Sequence, residues 1–176
     1  MYTEAFPVLR EFGFKATVFL VTGYCGNHND WPGNLPSLER SSLLSWDEIR
    51  EMSAHGIEFG SHTANHPDLT RIPLKQAEQE IAHSRQQIED RLGSPVTLFA
   101  YPYGRWNSQV KDIVRSHFQG ACSTKLGSVR AGGDPYMIRR IDSYFVANPM
   151  LFGRLTATSL ACYLQFRQAL RELKSF

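Results

Sequence analysis

The chain has 176 residues, of which 42% are hydrophobic and 20% are charged, a composition that is typical of a globular protein and excludes a disordered one. Its 19 basic and 17 acidic residues give a formal net charge of +2, so nothing in the charge points to nucleic acid or to an acidic membrane surface. The 3 cysteines are far apart, which excludes a fully paired disulfide framework and a thiolate metal motif.

Helix-like and strand-like segments alternate along the chain. In chain order, the patterns predict a helix (3–12), a strand (15–21), a long loop, a helix from Ser45 to Gly56, a strand (57–61), a helix (73–92), a strand (95–101), a helix capped by Asn107, two short strands (119–124 and 136–142) and a terminal helix (154–174). Ser45 with Glu48 has the pattern of a capping box. The terminal helix is expected to carry Leu160, Tyr163, Leu164, Leu170 and Leu173 on one side.

This alternation predicts an α/β fold with a mostly parallel sheet or a (β/α) barrel. We expect one domain over residues 1–176. Functional sites of such folds lie at the C-terminal ends of the strands. The first predicted element is a helix with no strand before it, so any site residues on such a strand would be missing as well.

The stretch FGSHTANHPDL (59–69) carries two histidines four residues apart, His62 and His66. A helical HxxxH zinc motif is disfavoured, because Pro67 restricts His66 and no glutamate stands beside His62. The pair is therefore expected on a loop that leaves a strand, where two imidazoles can converge on one metal ion. The alternative is a pair of histidines that brace a loop or face solvent.

Two further stretches offer aromatic surface. FAYPYGRWN (99–107) follows a strand, and its turn places Tyr101, Tyr103 and Trp106 where sugar rings could pack. Taken alone, this stretch is equally well interpreted as an aromatic-rich turn that merely packs. In the long loop, HNDWPG (28–33) could add Asp30 and Trp31 to a substrate rim, although a simple turn is the favoured interpretation.

Taken together, four stretches resemble the polysaccharide deacetylases, the NodB-homology domain of carbohydrate esterase family 4. They are AFPVLREFGFKATVFLVTGYCG (5–26), SWDEIREMSAHGIEFGSHTANHPDL (45–69), LFAYPYGRWN (98–107) and DPYMIRRID (134–142). The resemblance covers about residues 3–142. It implies a deformed (β/α) barrel that hydrolyses N-acetyl groups, by attack on an amide bond, in amino-sugar polymers.

The same resemblance implies a site. A divalent metal ion, most often zinc, would be held by His62 and His66, with Thr63 supporting the geometry of the ligands. The backbone N–H of Tyr103 would stabilise the oxyanion. Substrate contacts are expected from Tyr101, Pro102, Trp106 and Trp31.

The chain departs from the family pattern in one important respect. The family begins with a strand that ends in a TFDDG-type motif, whose two aspartates act as general base and as metal ligand. No Asp-Asp pair occurs in this chain, and Asp30, Asp47 and Asp68 stand in other contexts. Ala100 replaces an arginine that often precedes the Pro-Tyr pair, and no histidine follows His117. We therefore expect the chain by itself to be a poor catalyst or inactive.

Three hypotheses follow. The chain is a deacetylase separated from its first strand, or a non-catalytic carbohydrate-binding or regulatory member of the family, or, least favoured, an unrelated HxxxH hydrolase of peptides.

The partner expected from the first two hypotheses is an N-acetylated polysaccharide or oligosaccharide. No membrane-spanning segment is expected. Family members are commonly in the cell envelope or extracellular, yet MYTEAFPVLREFG has no secretory-signal pattern. The oligomeric state is not indicated.

Overall fold

Five parallel strands, flanked by helices, organise the chain. The computed structural model describes residues 1–34, 39–129, 131–147, 149–153 and 158–174. The elements are α1 (Ala5–Glu11), β1 (Thr17–Leu20), α2 (Trp46–Ala54), β2 (Glu58–Ser61), α3 (Leu74–Leu92), β3 (Leu98–Ala100), α4 (Ser108–His117), β4 (Gly120–Leu126), β5 (Ile138–Arg140), α5 (Ser143–Val146), α6 (Pro149–Phe152) and α7 (Thr158–Lys174). Residues 154–157 of the predicted terminal helix lie outside the described residues.

The strand order is β1-β2-β3-β4-β5, and every neighbouring pair is parallel. The predicted α/β class is thereby confirmed. Since all strands point the same way, their C-terminal ends meet at one edge of the sheet, where the site is expected. Strands β1 and β5 are the two edge strands, so the described residues form an open sheet.

Helices α2, α3 and α4 cover the sheet with apolar side chains that are spaced at helical intervals. These side chains are completely buried: Ile49, Met52, Ala77, Ile81, Ile88, Val110 and Val114. They share one core cluster with the central strand residue Phe99, which is also 0% exposed. The spacing predicted from the sequence therefore orients these helices, and the core anchors the strand ends. Within the described residues, no helix has the length and hydrophobicity needed to span a membrane.

The start of α2 confirms the predicted capping box. Ser45 Oγ accepts a hydrogen bond from the backbone N–H of Glu48 at 3.3 Å, and Glu48 Oε2 accepts from the backbone N–H of Ser45 at 2.7 Å. Asn107 likewise caps α4, where its side chain accepts from the N–H of Val110 at 2.9 Å. Both caps satisfy N–H groups that a helix leaves unpaired at its start.

Replacing Ser45 with alanine is expected to lower the free energy of unfolding by about 1 kcal/mol, because one helix-capping acceptor is lost. Urea unfolding followed by circular dichroism measures the change. Ser53→Ala, in the same helix but away from its start, serves as the control and should leave the urea midpoint unchanged or slightly raised. Equal midpoints for both variants would contradict the predicted contribution of the cap.

Candidate functional site

The two histidines of the HTANH stretch come together just beyond the C-terminal end of β2. Their Nε2 atoms lie 3.1 Å apart. The segment is a loop and not a helix, since Thr63 and His66 have left-handed φ angles of 68° and 57°. The folded loop thus aims both imidazoles at one point in space.

A hydrogen bond determines which nitrogen of His62 carries its proton. Nδ1 of His62 lies 2.6 Å from the carbonyl oxygen of Ala100, at the end of β3. A carbonyl oxygen can only accept, so Nδ1 holds the hydrogen and Nε2 presents a lone pair toward His66. This is the usual orientation of a metal-binding histidine, whose other nitrogen donates to a carbonyl or carboxylate.

Both imidazoles are held in the neutral form at pH 7. Burial lowers the pKa of His62 to about 4, and the positive charge of Arg140 lowers it further against the opposing effect of the Ala100 carbonyl. Burial, followed by the proximity of His62, lowers the pKa of His66 to about 4. Neutral imidazole is the form that binds metal ions.

The pair fits two positions of a tetrahedral metal site. Two Zn–N bonds of about 2.0–2.1 Å at a tetrahedral angle place the nitrogens about 3.3 Å apart, close to the observed separation. No third ligand joins them: among the described residues, no group of three His, Cys, Asp or Glu side chains could hold a metal ion. Asp30 is paired with Arg40 at 3.1 Å, and Asp68 with Arg105 at 2.7 Å.

Hydrogen bonds from two sides hold the histidine loop. Thr63 is completely buried, and its Oγ1 accepts from the backbone N–H of His66 at 2.9 Å. Glu80 of α3 accepts from the N–H groups of Ala64 and Asn65 at 3.0 and 2.8 Å, and from Asn65 Nδ2 at 2.7 Å. Glu80 is not among the site residues predicted from the sequence. The pattern that could have indicated it is its position in α3, next to the inward-facing Ile81.

Two aromatic rings flank His66. The ring centroid of Trp31 lies 4.5 Å from that of His66, and the centroid of Tyr103 lies 4.6 Å from it. Nε1 of Trp31 is buried and has no hydrogen-bond partner among the described residues, and the same holds for Nδ1 of His66. The turn expected around Trp31 therefore also contributes an aromatic wall to the site.

The Pro102–Gly104 turn is fastened to the histidine loop. Tyr103 has a left-handed φ of 57°, and Gly104 follows with a φ of 67°. A Cβ on Gly104 would clash with the side chain of Thr124, which together with the left-handed φ requires glycine here. Arg105, next in the chain, forms the ion pair with Asp68 that joins this turn to the residues after His66.

The structure corrects the expectation that Tyr101 contacts substrate. Its side chain is 2% exposed, packs against Phe99 at 5.4 Å between ring centroids, and donates from its hydroxyl to the carbonyl of Tyr136 at 3.2 Å. Pro102 is buried as well. Neither side chain offers a surface to a sugar, because the strand end turns both inward. Trp106 is partly buried and lies in a different groove from the histidines.

A groove of about 270 Å³ leads to the histidines along the outer edge of β1. Val18, Leu20 and Val21 form much of its wall, and His62 and His66 lie among its lining residues. A chain segment or a ligand in this groove would therefore reach both imidazoles.

A comparison with protein families identifies the family to which the chain belongs. The model of the polysaccharide deacetylase family matches residues 1–118. The chain belongs to the polysaccharide deacetylase family. The resemblance found in the sequence is thus confirmed at the level of the family.

Two bacterial relatives of this deacetylase-family chain align with most of its length. It is 27% identical over 141 residues to YxkH of Bacillus subtilis, covering 80% of the chain and 46% of the relative. It is 27% identical over 151 residues to the poly-beta-1,6-N-acetyl-D-glucosamine N-deacetylase of Staphylococcus epidermidis, covering 80% and 50%. The chain spans about half the length of the curated relatives it matches.

Solved structures share the deacetylase-family fold. The Streptococcus pyogenes deacetylase PplD, in complex with acetate, matches with a TM-score of 0.69 and 27% identity over 80% of this chain and 57% of that one. IcaB from Ammonifex degensii matches with a TM-score of 0.70 and 24% identity, over 86% and 66%. The second likeness supports the fold alone.

Proposed function

We propose that the chain provides the two-histidine half of a metal-dependent site that removes N-acetyl groups from amino-sugar polymers. The observation that carries the proposal is the pair of neutral imidazoles, His62 and His66, whose Nε2 atoms lie 3.1 Å apart at the end of a groove. The orientation of His62 by the Ala100 carbonyl supports metal binding, because it leaves the Nε2 lone pair directed toward the Nε2 atom of His66.

Zinc suits this pair best, because imidazole nitrogens are among its preferred ligands. His62 and His66 would hold such an ion, which would supply polarisation of the acetamide carbonyl and activation of a water for attack. The chain's own residues do the rest. The backbone N–H of Tyr103 donates to the carbonyl oxygen as negative charge develops there. The indole ring of Trp31, beside His66, offers an apolar surface to the substrate.

The chain alone is proposed to be a poor catalyst. No described carboxylate stands with the histidines, so both the third ligand and the general base are lacking. Loss of a general base typically lowers the rate by about 10²–10⁴. We propose that a segment outside these residues, paired with the free edge of β1, brings the carboxylates. A parallel strand there would end beside His62.

The missing carboxylate also supports a second candidate function. Without a base or a complete metal site, the chain would bind acetylated saccharides through Trp31 and Tyr103 and leave them intact. The name of the Staphylococcus epidermidis relative suggests β-1,6-linked N-acetylglucosamine as the polymer for either function.

Acetate release separates the two functions. The chain is extended at its N-terminus by a strand that ends in Asp-Asp-Gly, and a matched extension ends in Asn-Asn-Gly. Both are assayed on β-1,6-linked N-acetylglucosamine oligomers with added zinc. We expect acetate release from the Asp-Asp form at a rate at least about a hundredfold above the Asn-Asn form. Binding of oligomers with equal, negligible release from both forms would overturn the deacetylase proposal and support the second candidate.

A further inference from the structure

A second groove, of about 510 Å³, lies beside Trp106 and shares no lining residue with the histidine groove. Trp106 and Lys111 lie at the start of α4. Lys125 of β4, Asp134 and Arg139 of β5 complete its charged lining. The proposed deacetylation uses none of the residues that line this groove.

The ammonium groups of two lysines lie near the ring of Trp106. Nζ of Lys111 lies 5.5 Å from the ring centroid, and Nζ of Lys125 lies 6.0 Å from it. The ring is partly buried. It packs against the core and also lines the groove. A flat, fixed aromatic surface of this kind suits the C–H face of a sugar ring, and the neighbouring ammonium groups suit an anion.

The charges in this groove do not cancel. Lys111 is paired with Asp134, with Nζ to Oδ2 at 3.0 Å. Lys125 and Arg139 form no ion pair with any carboxylate in the part of the chain that the structure describes. Arg139 instead folds against the backbone at Gly127, where a Cβ would come within 3.2 Å of its Cδ. Lys125, whose ammonium lies near the Trp106 ring, and Arg139 therefore both line the groove without a carboxylate partner among the described residues.

We propose that this groove binds a saccharide unit that carries a carboxylate, with the sugar ring against Trp106 and the carboxylate between Lys125 and Arg139. An ammonium-bearing, deacetylated sugar would be repelled here by the same two cations. The groove would then select polymers with acidic units and disfavour the product of deacetylation. The proposal requires neither a metal ion nor acetate release, so it stands or fails independently of the proposed function.

Isothermal titration calorimetry at low ionic strength tests this with tetragalacturonate as the acidic probe, chitotetraose as the neutral one and inorganic phosphate as a simple anion. We expect tetragalacturonate to bind, and its affinity to fall about fivefold in Lys125→Gln and in Arg139→Gln, and further in the double variant, without strict additivity because both residues contact one carboxylate. Lys75→Gln, which removes an exposed lysine of α3, is the charge-matched control and should bind like the unmodified chain.

Circular dichroism first establishes that the variants are folded, which is expected because Arg139 is exposed and Lys125 is only half-buried. Equal affinities of the double variant and the Lys75→Gln control for tetragalacturonate would overturn the proposal, and so would the absence of binding to the unmodified chain. Phosphate binding that matches tetragalacturonate in strength and in sensitivity to the double variant would also overturn it, since the groove would then be a site for simple anions. Chitotetraose should bind the unmodified chain and the double variant equally.

Discussion

Replacing His66 with alanine is expected to lower the zinc affinity of the chain by more than about a hundredfold. Mutation of residues that merely orient a metal ligand costs 10–100-fold, and removal of one of only two imidazole ligands must cost more. A single remaining imidazole, His62, would bind zinc no better than an exposed histidine. Titration of the purified chain with zinc, followed by calorimetry, measures the affinity directly.

The control for this substitution is His83→Ala, which removes an exposed histidine of α3 and should leave zinc binding unchanged. Both variants should remain folded. Nδ1 of His66 has no partner to lose among the described residues, and His83 is exposed. Unchanged zinc affinity in His66→Ala would contradict the proposed metal site, and the pair would then be a structural brace of the loop.

Replacing Glu80 with alanine is expected to lower zinc affinity by about 10–100-fold although the residue touches neither imidazole. Its carboxylate accepts three hydrogen bonds from Ala64 and Asn65, and bonds to a charged group contribute about 1.5–3 kcal/mol each. The loop needs this support, because the left-handed backbone of Thr63 and His66 costs roughly 1–2 kcal/mol per residue. Without it, the imidazoles are no longer held at one separation.

Two comparisons show whether Glu80 positions the ligands or only stabilises the fold. Glu80→Gln keeps one acceptor oxygen and should recover part of the zinc affinity. Glu78→Ala, an exposed neighbour on α3, should change neither property. A purely structural role would lower the urea midpoint of Glu80→Ala while the zinc affinity of the folded chain stayed the same, and that result would refute the positioning role.

Local sequence signals were sufficient for the five strands, for the helices other than α5 and α6, and for the histidine pair. Ser45 and Asn107 cap their helices as predicted, since capping depends on residues a few positions apart. Pro67 and the strand before His62 predicted a loop in place of a helix, and the φ angles of Thr63 and His66 agree. These features depend on neighbours in the chain, which the sequence displays directly.

The terminal helix shows where periodicity alone falls short. Leu160 and Leu164 are buried at 3% and 1% exposure, but Tyr163, Leu170 and Leu173 are exposed at 38%, 37% and 73%. Only two of the five residues on the predicted apolar side are therefore buried. Leu160 and Leu164 share their cluster with Leu126 of β4, and Gln168 of α7 bonds to the N–H of Leu126 at 2.9 Å. A single strand covers only a narrow stripe of a helix, and the sequence does not show its width.

The sequence by itself determined the class of fold, the family and the two imidazoles at a strand end, because each follows from local patterns. The tertiary structure alone placed Trp31 against His66, turned Tyr101 into the core and brought Glu80 to the histidine loop. These contacts join residues that are 15 or more positions apart along the chain. They depend on the path of a long loop and on the packing of α3, and no short stretch of sequence specifies either one.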